Sequence, residues 1–238
     1  MNTTYDDIKS GYSVAEALPE ERASFIRKTY LHLAGAVLAF ILLEVYIITS
    51  GAGQAITETM LGGRWSWMIV LLAFMGISML AQWWANSQTS RPLQYAGLGL
   101  FVVAEAIIFT PLLFIAAARS NSLEIFGQAG ITTLGLFLGL TAVVFLTKKD
   151  FSFLGPILTI GGFVALGFIA AGIVFGFSLG SVFAFAMVAF AGGAILYDTS
   201  NILHRYNTDQ HVAASLSLFA SVALLFWYIL RIFMGSRN

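Results

Sequence analysis

Seven apolar runs follow one another along this chain, each about as long as a helix that crosses a membrane. Crossing the hydrocarbon of a bilayer takes about 20 mostly apolar residues. The runs cover 30–50, 65–85, 95–118, 125–147, 154–177, 182–203 and 212–234. They are continuous and do not alternate with polar residues, which excludes the strand pattern of a porin-type barrel. Only 10% of the 238 residues are charged, so the chain has too little polar surface to fold in water. The expected fold is therefore an all-α integral membrane protein with seven transmembrane helices. Three segments are expected: a cytoplasmic tail over 1–29, the seven-helix domain over 30–234, and a short tail over 235–238. Within the first, a short amphipathic helix is expected from Pro19.

Charge sets the expected orientation, because loops rich in Lys and Arg stay in the cytoplasm. Lys9, Arg22, Arg27, Lys28, Arg91, Lys148, Lys149 and Arg205 fall on one side. Arg64, Arg119, Arg231 and Arg237 fall on the other. That asymmetry predicts a multi-pass membrane protein with its N-terminus in the cytoplasm and its C-terminus outside. Trp65, Trp67, Trp83, Trp84, Trp227 and Tyr228 lie near span ends, as interfacial aromatics do. Net charge is zero, which leaves no basic patch for nucleic acid. Cys is absent, so there is no disulfide, thiolate metal site or cysteine nucleophile.

Small residues recur four apart at Gly135 and Gly139, Gly172 and Gly176, and Ala189 and Gly193. Such spacing lets helix backbones approach closely, here within one bundle rather than between two copies.

Gly176-Phe177-Ser178-Leu179-Gly180 matches the G-x-S-x-G pattern of a nucleophilic serine. Here it forms a turn between two spans. His32, His204 and His211 are expected a membrane thickness away, so no hydrolase is expected. No motif calls for a cofactor, and the sequence expects no enzyme.

Three acids lie within spans: Glu44, Glu105 and Asp198. A charge in the bilayer core costs about 2.5–3.5 kcal/mol on insertion scales, so such groups usually face a bundle interior and find partners. Asp198, Asn201 and Arg205 share a helical face. Asp198 is then either a helix-end carboxylate tied to Arg205 or His204, or part of a polar pathway. Glu105 has no basic neighbour in sequence; it is either neutral or faces a water-filled cavity. Glu44 either snorkels or serves a site. Ser215, Ser217 and Ser221 mark the last span, where Ser217 and Ser221 are expected to donate hydrogen bonds to Asp198.

Three stretches resemble the Bax inhibitor (transmembrane Bax inhibitor motif) family, bacterial type. Thr147-Lys148-Lys149-Asp150-Phe151-Ser152-Phe153-Leu154-Gly155 resembles the family's loop between its fourth and fifth helices. Leu196-Tyr197-Asp198-Thr199 resembles its sixth-helix motif, and Leu216-Ser217-Leu218-Phe219 the start of its seventh. The resemblance implies a seven-helix fold with the seventh helix central, sandwiched by the other six. It implies a pH-modulated calcium or proton leak, or a role in stress and cell-death control. It also implies, as an alternative, a non-conducting regulator of a partner such as a membrane-bound AAA protease. In leak-type relatives, two aspartates on the sixth and seventh helices sense pH and plug the pore. Asp198 matches the first. Ser221 stands where the second would be, and Leu224 where an asparagine often follows. Trp84-Ala85-Asn86 replaces a basic cluster found in some relatives. The implied pair is incomplete, and Glu105 is the carboxylate another helix supplies. The site residues expected for an ion pathway or pH sensing are Asp198, Glu105, Ser221 and Glu44, with Arg205 as a charge partner. The expected partners are the lipid bilayer, calcium or protons, and a membrane protease.

Overall fold

The computed structural model describes residues 13–87, 90–119 and 122–235, with only the backbone of Arg64. The first twelve residues, with Lys9, and residues 236–238, with Arg237, lie outside the described part. Among the described residues the chain forms eight helices: α1 (Pro19–Thr49), α2 (Ala52–Leu61), α3 (Arg64–Ala85), α4 (Arg91–Ala117), α5 (Ser122–Thr147), α6 (Leu154–Phe175), α7 (Gly180–His204) and α8 (His211–Gly235). All but α2 are long and apolar enough to cross a membrane, which makes seven spans.

Several threonine hydroxyls in the spans bond back to their own helices. Thr29, Thr110, Thr133 and Thr159 each donate to the carbonyl four residues earlier, at 2.8–3.0 Å. Inside a bilayer that satisfies the only polar atoms these side chains carry. The outward faces are bare of charge over long stretches, with Leu38, Leu42, Ile160 and Phe163 more than half exposed. In water such a surface would drive aggregation; against lipid tails it costs nothing.

Two spans are interior. α8 packs against α1, α3, α4, α5 and α7. Its Leu218, Leu225 and Leu230 are fully buried. The expected central seventh span is therefore present as α8. α4 is its equal, burying Phe101, Ile108 and Phe109. Phe109 meets Phe40 edge-on at 5.1 Å and Trp227 at 4.8 Å, so aromatic rings join α1, α4 and α8. α6 is peripheral: it packs on α7 and α3, and Ala165 is the residue it buries. α8 is thus central, with α1, α3, α4, α5 and α7 packed closely on it and α6 meeting it more loosely, where Ala165 and Tyr228 share a buried cluster.

Four details depart from expectation. α1 runs unbroken from Pro19, so the tail-to-domain boundary expected at residue 29 falls inside a helix, and the short helix expected from Pro19 is its first part. α2 lies in what reads as a loop; its ten residues are too few to span and pack mainly on α4. Gly135 and Gly139 face open space, so they pack no helix within the bundle. Gly193 does so, since a Cβ there would lie 3.6 Å from Leu158. The tightest helix approach is instead at Gly97, where an added Cβ would sit 2.5 Å from the Ala81 carbonyl of α3. Pro111 removes one ladder bond from α4 without breaking it.

The odd number of spans separates the ends of the bundle. α1, α4, α6 and α8 start on one face, termed here the near face; the turn at Ser178 lies on the far face.

Candidate functional site

The near-face site is built on the seam between α7 and α8. Ser221 Oγ donates to Asp198 Oδ2 at 2.6 Å, a short charge-assisted bond. Both residues line a cavity of about 600 Å³ with Thr159, Tyr197 and Arg205. Arg205 thus shares the cavity with Asp198, while the bonded partner of the carboxylate is Ser221. The Arg205 charge acts instead on Asp150 in the loop between α5 and α6.

Ser217, expected to donate to Asp198, is engaged elsewhere: its hydroxyl lies 3.1 Å from the Tyr206 hydroxyl. Tyr206 sits in the loop between α7 and α8. Burial pushes its phenol up to about 12; the Ser217 bond works against that rise and the Asp198 charge adds to it. Tyr206 is braced from outside by the segment before α1. Val14 N donates to the Tyr206 carbonyl at 2.9 Å, and Val14 is fully buried. Arg22 holds that segment, donating from Nε to the Val14 carbonyl at 2.8 Å and from Nη2 to that of Ala15 at 2.6 Å.

A second polar cluster ties the α5–α6 loop to α7. Ser200 Oγ accepts from Phe151 N at 2.9 Å and donates to Asp150 Oδ1 at 3.4 Å. Asp150 Oδ1 also accepts from Ser152 N at 2.8 Å, which is the main reason its carboxyl is held below the usual range. His204 Nδ1 lies 2.9 Å from the Ser200 carbonyl and 3.5 Å from its hydroxyl. Ser, His and Asp meet here, yet the aspartate bonds the serine rather than the histidine. Ser200 is fully buried, so the cluster is a latch. Nothing in the local sequence announces it, since Asp150 and Ser200 lie in different elements.

Glu105 occupies a different site. It is 7% exposed and lines a cavity of about 580 Å³ between α3, α4, α6 and α8. Ser78, Gln82, Ser178 and Arg231 share that lining. Ser178 thus lies at the far face, while His204 and His211 lie at the ends of α7 and α8 on the near face. Asp198 and Glu105 do not meet. On α6 the near cavity reaches Thr159 and the far one begins at Leu166. Between them Phe190 of α7 packs against Gly161, where an added Cβ would lie 3.1 Å from the ring. Phe190 belongs with Leu224 to a small apolar cluster around Met187 and Tyr228. Glu44 lines neither cavity: it is 4% exposed, and among the described residues both its carboxyl oxygens are buried without a hydrogen-bond partner.

Seven spans, an interior last helix and carboxylates on an α7–α8 seam and an α4 cavity define a polytopic membrane protein with buried acidic sites. The profile of the family described as Inhibitor of apoptosis-promoting Bax1 matches residues 22–238. The chain is 31% identical to Bax inhibitor 1 of Schizosaccharomyces pombe, over 100% of this chain and 86% of that protein. It is 30% identical to Protein LIFEGUARD 4 of Arabidopsis thaliana, over 98% and 96% of the two chains. It is also 30% identical to protein PA2604 of Pseudomonas aeruginosa, over 93% and 95%. This chain belongs to the Bax inhibitor family.

Proposed function

We propose that this protein is a cation leak pathway, for calcium or protons, set in a bacterial-type inner membrane with its N-terminus in the cytoplasm. The observation that carries the reading is the Asp198–Ser221 pair, a carboxylate inside a span that opens onto a cavity at the near face. A carboxylate placed there is costly unless it serves a polar route. Glu105 gives the same route a second acidic station towards the far face. Phe190 packs on Gly161 between the α6 residues of the two cavities, and its displacement is the step expected to connect them. No covalent chemistry is assigned: Ser178 lies at the opposite face from the histidines at the ends of α7 and α8.

The closed contact at Phe190 also supports a second reading, a non-conducting regulator of a membrane-bound partner such as a protease. Calcium and proton flux in liposomes holding purified protein, measured over a pH series, separates the two. Flux from the protein alone supports the leak. Absence of flux at every pH, with co-purification of a large membrane partner, supports the regulator. A reporter fused after Asn238 is expected to read out as external and one before Met1 as cytoplasmic; both on one side would refute the orientation.

A further inference from the structure

We propose that the groove between α1 and α4 binds an anionic phospholipid, with its headgroup at the near face. The groove encloses about 470 Å³ and is almost wholly apolar. Gly35, Ala39 and Gly99 keep it open, and nothing lies within 4 Å of a Cβ added at Gly35 or Gly99. Along α1 it runs from Leu31 to Leu43, about 18 Å at 1.5 Å per residue, the depth of one bilayer leaflet. That shape takes an acyl chain.

The near-face mouth is polar and cationic. His32 and Tyr95 line it, their rings 5.5 Å apart. Lys28 and Arg91 each stand one helical turn before these, on the same faces of α1 and α4. Both lie close enough to act electrostatically on His211. His32 Nδ1 donates to the Lys28 carbonyl at 2.7 Å, which fixes the ring at the mouth. The His211 ring lies against that of His32, centroids 5.0 Å apart. His211 is 7% exposed, and among the described residues its Nδ1 is buried without a hydrogen-bond partner. Asp209 is the acidic group acting on His211, against Lys28, Arg91 and His32. The balance at the mouth is positive, and basic pockets between spans at an interface suit anionic headgroups.

The test is native mass spectrometry of the purified full chain, titrated with phosphatidylglycerol or phosphatidylcholine. Phosphatidylglycerol is expected to bind more tightly. Lys28→Gln and Arg91→Gln are each expected to weaken it about fivefold, with little change for phosphatidylcholine. Gly99→Leu fills open space, so its melting temperature is expected to match wild type while both adducts are lost. Equal binding of the two lipids by wild type overturns the proposal. So does phosphatidylglycerol binding that survives Gly99→Leu, which marks a headgroup site without a chain groove. Loss of a dimer peak in Gly99→Leu with lipid adducts unchanged also overturns it and assigns the groove to a second copy. None of these outcomes depends on whether the protein conducts.

Discussion

Ser221 donates its hydroxyl to Asp198 across the seam between α7 and α8, at 2.6 Å. A serine supplies a proton that it keeps, whereas an aspartate at that position would compete with Asp198 for one. Two carboxylates within hydrogen-bond reach do not both ionise easily, and such a pair titrates as a unit. Ser221→Asp is therefore expected to install a pH response near neutrality in ion flux, and Asp198→Asn in that background to remove it. The check is flux from liposomes over a pH series that brackets neutrality. A flat profile in well-folded Ser221→Asp would contradict the account.

Glu105 lines a cavity and makes no hydrogen bond to the described residues. Glu105→Gln keeps its size and polarity, so folded yield is expected to hold while flux or its pH dependence changes. Phe190→Ala is expected to raise flux, because the ring packs on Gly161, between the α6 residues that line the two cavities. Flux unchanged at every pH in both variants would remove the far cavity from the route.

Gly97 is where α4 meets α3 most closely. A methyl group there collides with backbone at 2.5 and 2.6 Å, which a side-chain shift cannot relieve. Gly97→Ala is expected to destabilise the protein by about 1–3 kcal/mol. Thermal melting in detergent measures it, with Gly99→Ala, in open space, as the neutral control.

Asp150 is held below the ordinary carboxylate range first by the Ser152 amide, with the Ser152 side chain, Arg205 and His204 adding to it. A group whose folded-state value is depressed stabilises the fold above its unfolded value and loses that contribution as pH falls through the folded one. The latch to Ser200 is thus expected to hold at neutral pH and loosen below the carboxylate range. Amide exchange at Phe151 and Ser152, compared with Asp150→Asn, reads this out. Exchange in the wild type that is independent of pH, after correction for intrinsic rates, would contradict it.

The spans were legible because apolarity is a property of contiguous residues. The run read as 154–177 is α6, which stops at Phe175 where Gly176 turns left-handed at φ +76. The run read as 95–118 begins four residues early, at Arg91, because the Ser90 side chain accepts from Leu93 N and caps the helix. Apolarity carries no such signal. α2 is not legible as a helix for a related reason: Gln54, Thr57, Glu58 and Thr59 make it polar, and its burial against α4 is a tertiary fact. Asp198 and Glu105 stood out as acids in apolar runs. Their separation into two cavities did not, since it depends on how α6 lies over α7. The Tyr206–Ser217 and Asp150–Ser200 contacts were invisible for the same reason. Glu44 is conspicuous by its charge, yet it lines neither cavity and among the described residues its carboxyl has no hydrogen-bond partner.

The central claim is that Asp198 lies on an ion route. Calcium flux into liposomes, compared between wild type and Asp198→Asn at matched protein density, tests it directly. Asparagine keeps the size of the side chain and can accept from Ser221, so the fold is expected to survive. The account predicts that wild type conducts and that Asp198→Asn changes the flux at least severalfold or alters its pH dependence. Equal flux from the two proteins at every pH, with both folded, would contradict it.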